Sequence, residues 1–327
     1  MKDKIIEILR ENKGLFISGQ DISDKLNVSR TSIWKHISKL KEEGYIIESV
    51  SRKGYRLLKS PDLLEPSLID KLLNTKYMGR KIYHYDSIDS TNNEAKKLAQ
   101  NVEEGTIVIA EEQLGGKGRL NRKWTSPKRK GIWMSAIFKP NISPSESPKI
   151  TQIAAAAVSK AIEGIGISNK IKWPNDIVIR GRKVCGILTE MSGEINRVNY
   201  IIIGIGVNVN LEEKDFLQDI RNNATSLKIE KRESINRVKL IAKILNEFEY
   251  LYEDFINTGS IKNSVDICKK NSALIDKRVR VINGNNIKEA IAMDIDENGR
   301  LLVRYDDGSS ERIISGEISI RGIKGYV

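Results

Sequence analysis

Histidine and cysteine are nearly missing from this chain, which carries two of each in 327 residues. His36 and His84 stand beside no candidate nucleophile, which argues against a histidine-based triad or metal centre. Cys185 and Cys268 lie far apart and outside any CxxC pair, so neither a disulfide framework nor a structural zinc site is expected. No run approaches the roughly 20 apolar residues of a membrane span, and no apolar segment follows Met1; the expected location is the cytoplasm, without membrane contact. Acidic residues are the scarcer sign, 43 against 55 basic, and the net charge of +12 favours polyanionic partners. Charge alone does not separate nucleic acid from nucleotide. Three of only seven prolines, Pro140, Pro144 and Pro148, are expected in one solvent loop.

What is present begins with a helical N-terminus. Ile5, Ile6 and Leu9 suit one face of a short helix and Ile22 and Leu26 a second, with Ser18 or Asp21 as its cap. Asn27-Val28-Ser29 makes a tight turn, and Ile33, Ile37 and Leu40 then repeat at helical spacing until Gly44. This is helix-turn-helix spacing. Two strands, 45–50 and 55–58, follow around the basic tip Ser51-Arg52-Lys53-Gly54, a candidate wing. Opposite its apolar stripe the third helix offers Arg30, Thr31, Ser32, Lys35 and His36, able to meet phosphates and base edges, with Arg52 and Lys53 on the wing. A solvated face on a protein-contact domain is the blander alternative.

Residues 59–66 read as a linker, after which a new core begins. Strands are expected at 82–85, 106–110, 132–138, 177–179, 184–191 and 200–207, and helices at 92–101, 150–164 and 234–257. Strands in runs with fewer helices predict an α+β domain on a mixed or mainly antiparallel sheet. Short strands at 279–282, 287–295, 301–305, 311–314 and 318–321, separated by Asn-Gly and Asp-Gly turns, predict a small SH3-like β-barrel at the end. The expected division is 1–60, 66–272 and 273–327.

Several segments of the middle domain carry chemistry. Gly115 to Lys130 is rich in lysine and arginine, contains no acid, and interleaves glycines before Trp124, as a loop that closes on a polyanion would. Lys172-Trp-Pro-Asn-Asp176 and Lys183 stand at the two ends of one hairpin-like unit that can build an anion site. Ser90-Thr91-Asn92 precedes a helix and reads first as an N-cap, with a polar ligand site as the alternative. Gly204 to Asn210 ends an apolar strand, where a glycine bulge is the plain explanation.

Taken together and in this order, those motifs with Gly186-Ile187-Leu188 resemble biotin protein ligase, and with the N-terminal winged helix the bifunctional type that is also a biotin-operon repressor. The resemblance spans essentially the whole length. It implies ATP-dependent formation of biotinyl-5'-AMP, transfer of biotin to a lysine of a biotin carboxyl carrier protein, and repression of biotin genes with biotinyl-AMP as corepressor. It further implies biotin, ATP and Mg²⁺ as ligands, operator DNA as a partner, and a homodimer favoured by biotinyl-AMP.

By the same resemblance, Ser90, Thr91 and Gln113, with Asn92 beside them, are expected to hold the biotin ureido ring, with Gly116 and Arg119 reaching in from the closing loop. Lys183 would bridge biotin's carboxylate and the α-phosphate. Gly186, Ile187, Leu188 and Gly204 would wall the biotin rings, Trp124 would pack at the biotin end, and Asn175 and Asn208 would meet the adenylate. Asp176 would order Mg²⁺ or orient the acceptor lysine, and Lys183, Arg119 and Asp176 are the expected catalytic set. The loop departs from the family at Lys117, commonly Arg, and at Asn121, commonly Gly, which leaves Lys117 and Arg122 as the weaker members of the site. The alternatives are a biotin-sensing repressor without transfer activity and a lipoate ligase-like enzyme.

Overall fold

The computed structural model describes every residue except 13, 43, 317 and 324, and the side chain of residue 3 as well is left undescribed. The chain forms two compact units, Met1–Asp62 and Leu63–Val327.

In the first unit, helices α1 (Lys2–Glu11), α2 (Gly19–Leu26) and α3 (Arg30–Glu42) precede a hairpin of β1 (Ile46–Val50) and β2 (Gly54–Lys59). Ile5, Leu9, Ile22, Ile33, Ile37 and Leu40 close a core with almost no solvent exposure. Ser18 caps α2 by accepting from the Asp21 amide at 3.0 Å, and Asn27 ends it at φ 52°. Ile17 pairs with Tyr55 through two backbone hydrogen bonds of 2.9 and 3.0 Å, which fixes the hairpin to the start of α2. Gly54 makes that approach possible: it lies at φ +102°, and a Cβ there would sit 2.1 Å from the Ile17 carbonyl oxygen.

The second unit is α+β, as expected. Its elements run α4 (Pro66–Asp70), β3 (Ile82–Tyr85), α5 (Thr91–Leu98), β4 (Ile107–Ala110), β5 (Gly131–Phe138), α6 (Ser147–Glu163), β6 (Lys170–Lys172), β7 (Asp176–Ile179), β8 (Arg182–Gly193), β9 (Val198–Asn208), α7 (Leu227–Lys231), α8 (Arg237–Thr258) and α9 (Lys262–Lys270). The seven-stranded sheet has order β3-β4-β5-β9-β8-β7-β6, parallel only between β3 and β4. Odd-numbered residues of β9 (Ile201, Ile203, Ile205, Val207) face the core beneath α6 and α8. The even-numbered ones face away, and that outer face carries the site.

Two expectations need correction. Pro148 lies in the first turn of α6, where a missing amide costs nothing, and not in the proline loop. The stretch expected as a linker is already core at Leu64, which is fully buried and donates its amide to Glu111 Oε1 at 2.7 Å. Glu111 in turn pairs with the fully buried Arg237 at 2.9 Å, and Arg237 also donates to the Gly131 carbonyl. The final strands β10 (Arg278–Asn283), β11 (Asn286–Ile295), β12 (Leu301–Tyr305), β13 (Ser310–Ile313) and β14 (Ser319–Gly322) form one antiparallel sheet in the order β13-β12-β11-β10-β14. Their apolar face shares a continuous core with the larger sheet.

Candidate active site and DNA-binding helix

The sheet register lays one row of side chains across five strands. Lys172 pairs with Asp176, Asp176 with Gly186, Gly186 with Gly206, and Gly206 with Trp133. The neighbouring row is Leu188, Gly204 and Ser135. Where the core face has isoleucines, the outer face thus has glycines, and the result is a trough bordered by cations at one end. A Cβ on Gly206 would come within 2.6 Å of Trp124 Nε1, and one on Gly204 within 2.2 Å of Asn92 Oδ1. Trp124 and Asn92 therefore lie directly on the backbone.

Strict alternation would bury Lys183, because Cys185 and Ile187 on the same strand are core residues. A bulge prevents this. Ile177 pairs with Cys185 but Val178 with Lys183, leaving Val184 as the extra residue. Val184 and Cys185 both enter the core, and Lys183 turns out into the cleft. Its Nζ lies 2.5 Å from Asp176 Oδ1 and 5.1 Å from the centre of the Trp124 ring. Its backbone is tied to the segment below it by Lys183 N to Asn223 O (2.7 Å) and Thr225 N to Lys183 O (2.8 Å).

At the glycine end, polar groups form one chain. The Thr91 amide and hydroxyl donate to Gln113 Oε1 at 2.9 and 3.1 Å, and Gln113 Nε2 donates to Ser126 Oγ at 2.9 Å. Ser135 Oγ lies 2.8 Å from Thr91 Oγ1 and 2.6 Å from Asn92 Oδ1, while Asn92 Nδ2 donates to Glu190 at 2.8 Å. Ser90 caps α5, so the cap and the cleft lining are the same residue. At the other end Arg119 donates to Asn175 Oδ1 (3.2 Å) and to the Ile318 carbonyl (2.8 Å), which joins the closing loop to the last strands. Burial lowers its affinity for its proton, against the pull of Asp176.

The closing loop turns at Leu120 and Asn121, both left-handed at φ 56° and 54°, with the Arg122 amide donating back to Arg119 O at 3.3 Å. Asparagine tolerates that region better than most residues, so Asn121 suits this turn.

The cleft encloses about 360 Å³. Ser90, Thr91, Asn92, Gln113, Lys117, Arg119, Arg122, Trp124, Asn175, Asp176, Lys183, Gly186, Ile187, Leu188, Gly204 and Asn208 all line it. Gly116 does not. Its carbonyl accepts from the Trp124 amide at 2.9 Å, and a Cβ on it would lie 2.6 Å from the Trp124 carbonyl, so it serves the packing of the loop. The Trp124 indole N–H is buried without a partner, a donor left for a ligand.

Sequence reasoning passed over Lys172, Tyr326, Phe216 and Ile220 as site residues, yet all line the cleft. Lys172 is buried, its Nζ 3.4 Å from the centre of the Tyr326 ring, and burial brings its pKa down to about 8 against the pull of Asp176. Tyr326 donates to Asp176 Oδ2, and its own hydroxyl is held protonated by burial and by that carboxylate. Phe216, Ile220 and Ala224 supply an apolar patch of the cleft lining. Lys172 stood within the quoted motif; Tyr326 gave no signal, being separated from Asp176 by 150 positions.

Asp176 Oδ2 accepts from Tyr326, while Oδ1 faces the Lys183 ammonium at 2.5 Å and is buried without a hydrogen bond; no group of three or more His, Cys, Asp or Glu able to hold a metal occurs among the described residues. A Mg²⁺ here would take most of its ligands from substrate phosphates.

In the first unit, Arg30, Thr31, Lys35, Arg52 and Lys53 are exposed and Ser32 and His36 partly so, on α3 and the hairpin tip. Trp34, not among the expected residues, is also exposed there.

Three family models match this chain: HTH domain over residues 2–56, Biotin/lipoate A/B protein ligase family over 84–208, and Biotin protein ligase C terminal domain over 274–321. The "Bifunctional ligase/repressor BirA" of Bacillus subtilis is 42% identical over 98% of both chains. The protein of the same name from Escherichia coli is 28% identical over 97% of this chain and 96% of its own. The chain belongs to the bifunctional biotin ligase/repressor family. Among solved structures, biotin protein ligase from Aquifex aeolicus in complex with biotin and ATP matches with a TM-score of 0.65 and 28% identity, covering 74% of this chain and 99% of that one. No helix among the described residues is long and apolar enough to cross a membrane.

Proposed function

We propose that this chain joins biotin to ATP, holds biotinyl-5'-AMP, passes the biotinyl group to one lysine of a biotin carboxyl carrier protein, and in its adenylate-bound form represses biotin synthesis or transport genes. The observation that carries the reading is the glycine-floored trough leading into the cluster Lys172, Lys183 and Arg119. Its glycine end accepts a flat bicyclic ligand whose ureido group meets the Thr91, Gln113 and Asn92 polar chain. Its cationic end accepts a triphosphate.

In the first step a biotin carboxylate oxygen forms a bond to the α-phosphorus, and the bond to the β-phosphate oxygen breaks with loss of pyrophosphate. Two anions must meet, so positioned cations lower the barrier where histidine has no part to play. Lys183, delivered by the bulge, reaches both the carboxylate and the α-phosphate; Arg119 draws the closing loop over them. Mg²⁺ would be held mainly by the phosphate oxygens, with Asp176 beside them, and would neutralise part of their charge. In the second step Asp176 orients the acceptor lysine, whose amine attacks the acyl carbon after giving up its ammonium proton to water; AMP departs with the electron pair of the broken acyl–phosphate bond, and the second proton lost from nitrogen also passes to water. Asn175 and Asn208 face the adenylate, with Phe216 and Ile220 beneath the base. Loops ordered by the adenylate favour a homodimer that presents two α3 helices to an operator.

The test incubates the protein with ATP, Mg²⁺, an apo carrier domain and either biotin or lipoate, and reads the carrier mass. Biotin addition alone is expected. Lipoate addition alone would identify a lipoate ligase-like enzyme, and no addition a sensor without transfer.

A further inference from the structure

The outward flank of α3 nearest the hairpin holds a feature that base reading does not explain. At 3.6 residues per turn, Arg30, Trp34 and Lys41 share one side of the helix, next to the buried stripe Ile33, Ile37 and Leu40. Lys41 fixes the direction of that side, because its Nζ donates to Ser49 Oγ on β1 at 2.8 Å. Trp34 remains 59% exposed, a largely uncovered indole on a helix otherwise polar outside its core stripe.

Between this flank and the hairpin runs a groove lined by Ser18, Arg30, Thr31, Trp34, Arg52 and Tyr55, among others. None of its lining residues is acidic; two are arginines and several carry hydroxyls. The groove is held open by the Ile17–Tyr55 pairing, and Gly54 permits that pairing. Aromatic walls with arginines at the rim suit a ligand that is apolar on its faces and anionic at its edge. A deoxyribose with its phosphodiester has that character, whereas a base edge demands matched donors and acceptors.

We propose that this groove seats the sugar-phosphate backbone of one strand of duplex DNA, with Trp34 packed on a deoxyribose and Arg30 and Arg52 on the adjoining phosphates. The proposal rests on the reading of the first unit as DNA-binding. Trp34 then sets how tightly the duplex is held and where α3 lies, without itself reading sequence.

The experiment uses the full chain with biotin and ATP, a random-sequence duplex, and a duplex enriched from a random library by this protein. Trp34→Ala is expected to weaken binding to both duplexes by the same factor, roughly tenfold for an exposed aromatic anchor. Arg30→Ala is expected to reduce the slope of log affinity against log salt by about 1. Trp34 is the only tryptophan in residues 1–62, so the emission of the wild type minus that of Trp34→Phe isolates it; that difference is expected to change on saturation with either duplex. Far-UV circular dichroism and thermal unfolding of Trp34→Ala should match the wild type. A loss confined to the enriched duplex overturns the backbone assignment, as do unchanged affinity and emission. Failure of the wild type to bind any duplex instead overturns the DNA-binding reading itself.

Discussion

Lys172 is a cation held where water scarcely reaches, and its replacement by methionine is expected to make the protein more stable. Methionine preserves the length and apolar stem of the side chain and removes only the charge. In the folded protein the pKa falls from the ordinary 10.5 to about 8. At about 1.4 kcal/mol per pH unit this corresponds to about 3 kcal/mol of destabilisation at pH 7, where the amine is charged in both folded and unfolded chains. The pull of Asp176 is already contained in that net value. As pH rises through about 8 the folded protein releases this proton while the unfolded chain keeps it until near 10.5. The unfolded state then binds more protons, so the wild type gains stability across that window and Lys172→Met does not. Urea unfolding of both proteins at pH 7, 8, 9 and 10, without ligands, reads the difference. The variant should lead by up to about 3 kcal/mol at pH 7, with the lead shrinking toward zero near pH 10. A variant less stable at pH 7, or a lead that ignores pH, would refute the reasoning. A cleft that stays destabilised until an anion arrives is the kind of compromise expected at a binding site.

Two further outcomes follow from the packing. Gly206→Ala places a methyl group 2.6 Å from Trp124 Nε1, so the indole must leave the sheet; the KM for biotin should rise by about tenfold or more with little change in thermal stability, read by steady-state ligation and calorimetry. Arg237→Ala leaves Glu111 buried without its cation and should cost about 3–5 kcal/mol in urea unfolding, with ligand affinity at permissive temperature preserved.

The sheet was legible because its core strands announce themselves. Ile203, Ile205 and Val207 alternate with Gly204 and Gly206, and that alternation separates the core face from the trough. The helix-turn-helix was legible through Ser18, Asn27 and the stripe Ile33, Ile37 and Leu40. What escaped has local causes. The bulge at Val184 breaks the period of two, so β8 read by alternation alone would turn Lys183 inward; the motif resemblance, not the strand pattern, put Lys183 in the site. The strand β6 spans three residues, and α9 is a short, lysine-rich helix without a side-chain cap, so neither gave a periodic signal. Tyr326 reaches Asp176 only because the last sheet shares a core with the larger one, a tertiary fact that no local pattern carries. Gly116 was assigned to the ligand site by the family resemblance, whereas the close approach of Trp124 is what requires a glycine there.

Biotin-dependent release of pyrophosphate from ATP, without any carrier protein, isolates the step that the cation cluster is built to perform. Lys183→Ala is expected to retain the circular dichroism and thermal transition of the wild type while releasing pyrophosphate at least 100-fold more slowly, the order of loss for one preorganised charge-stabilising group. Release at the wild-type rate by that variant would contradict the account.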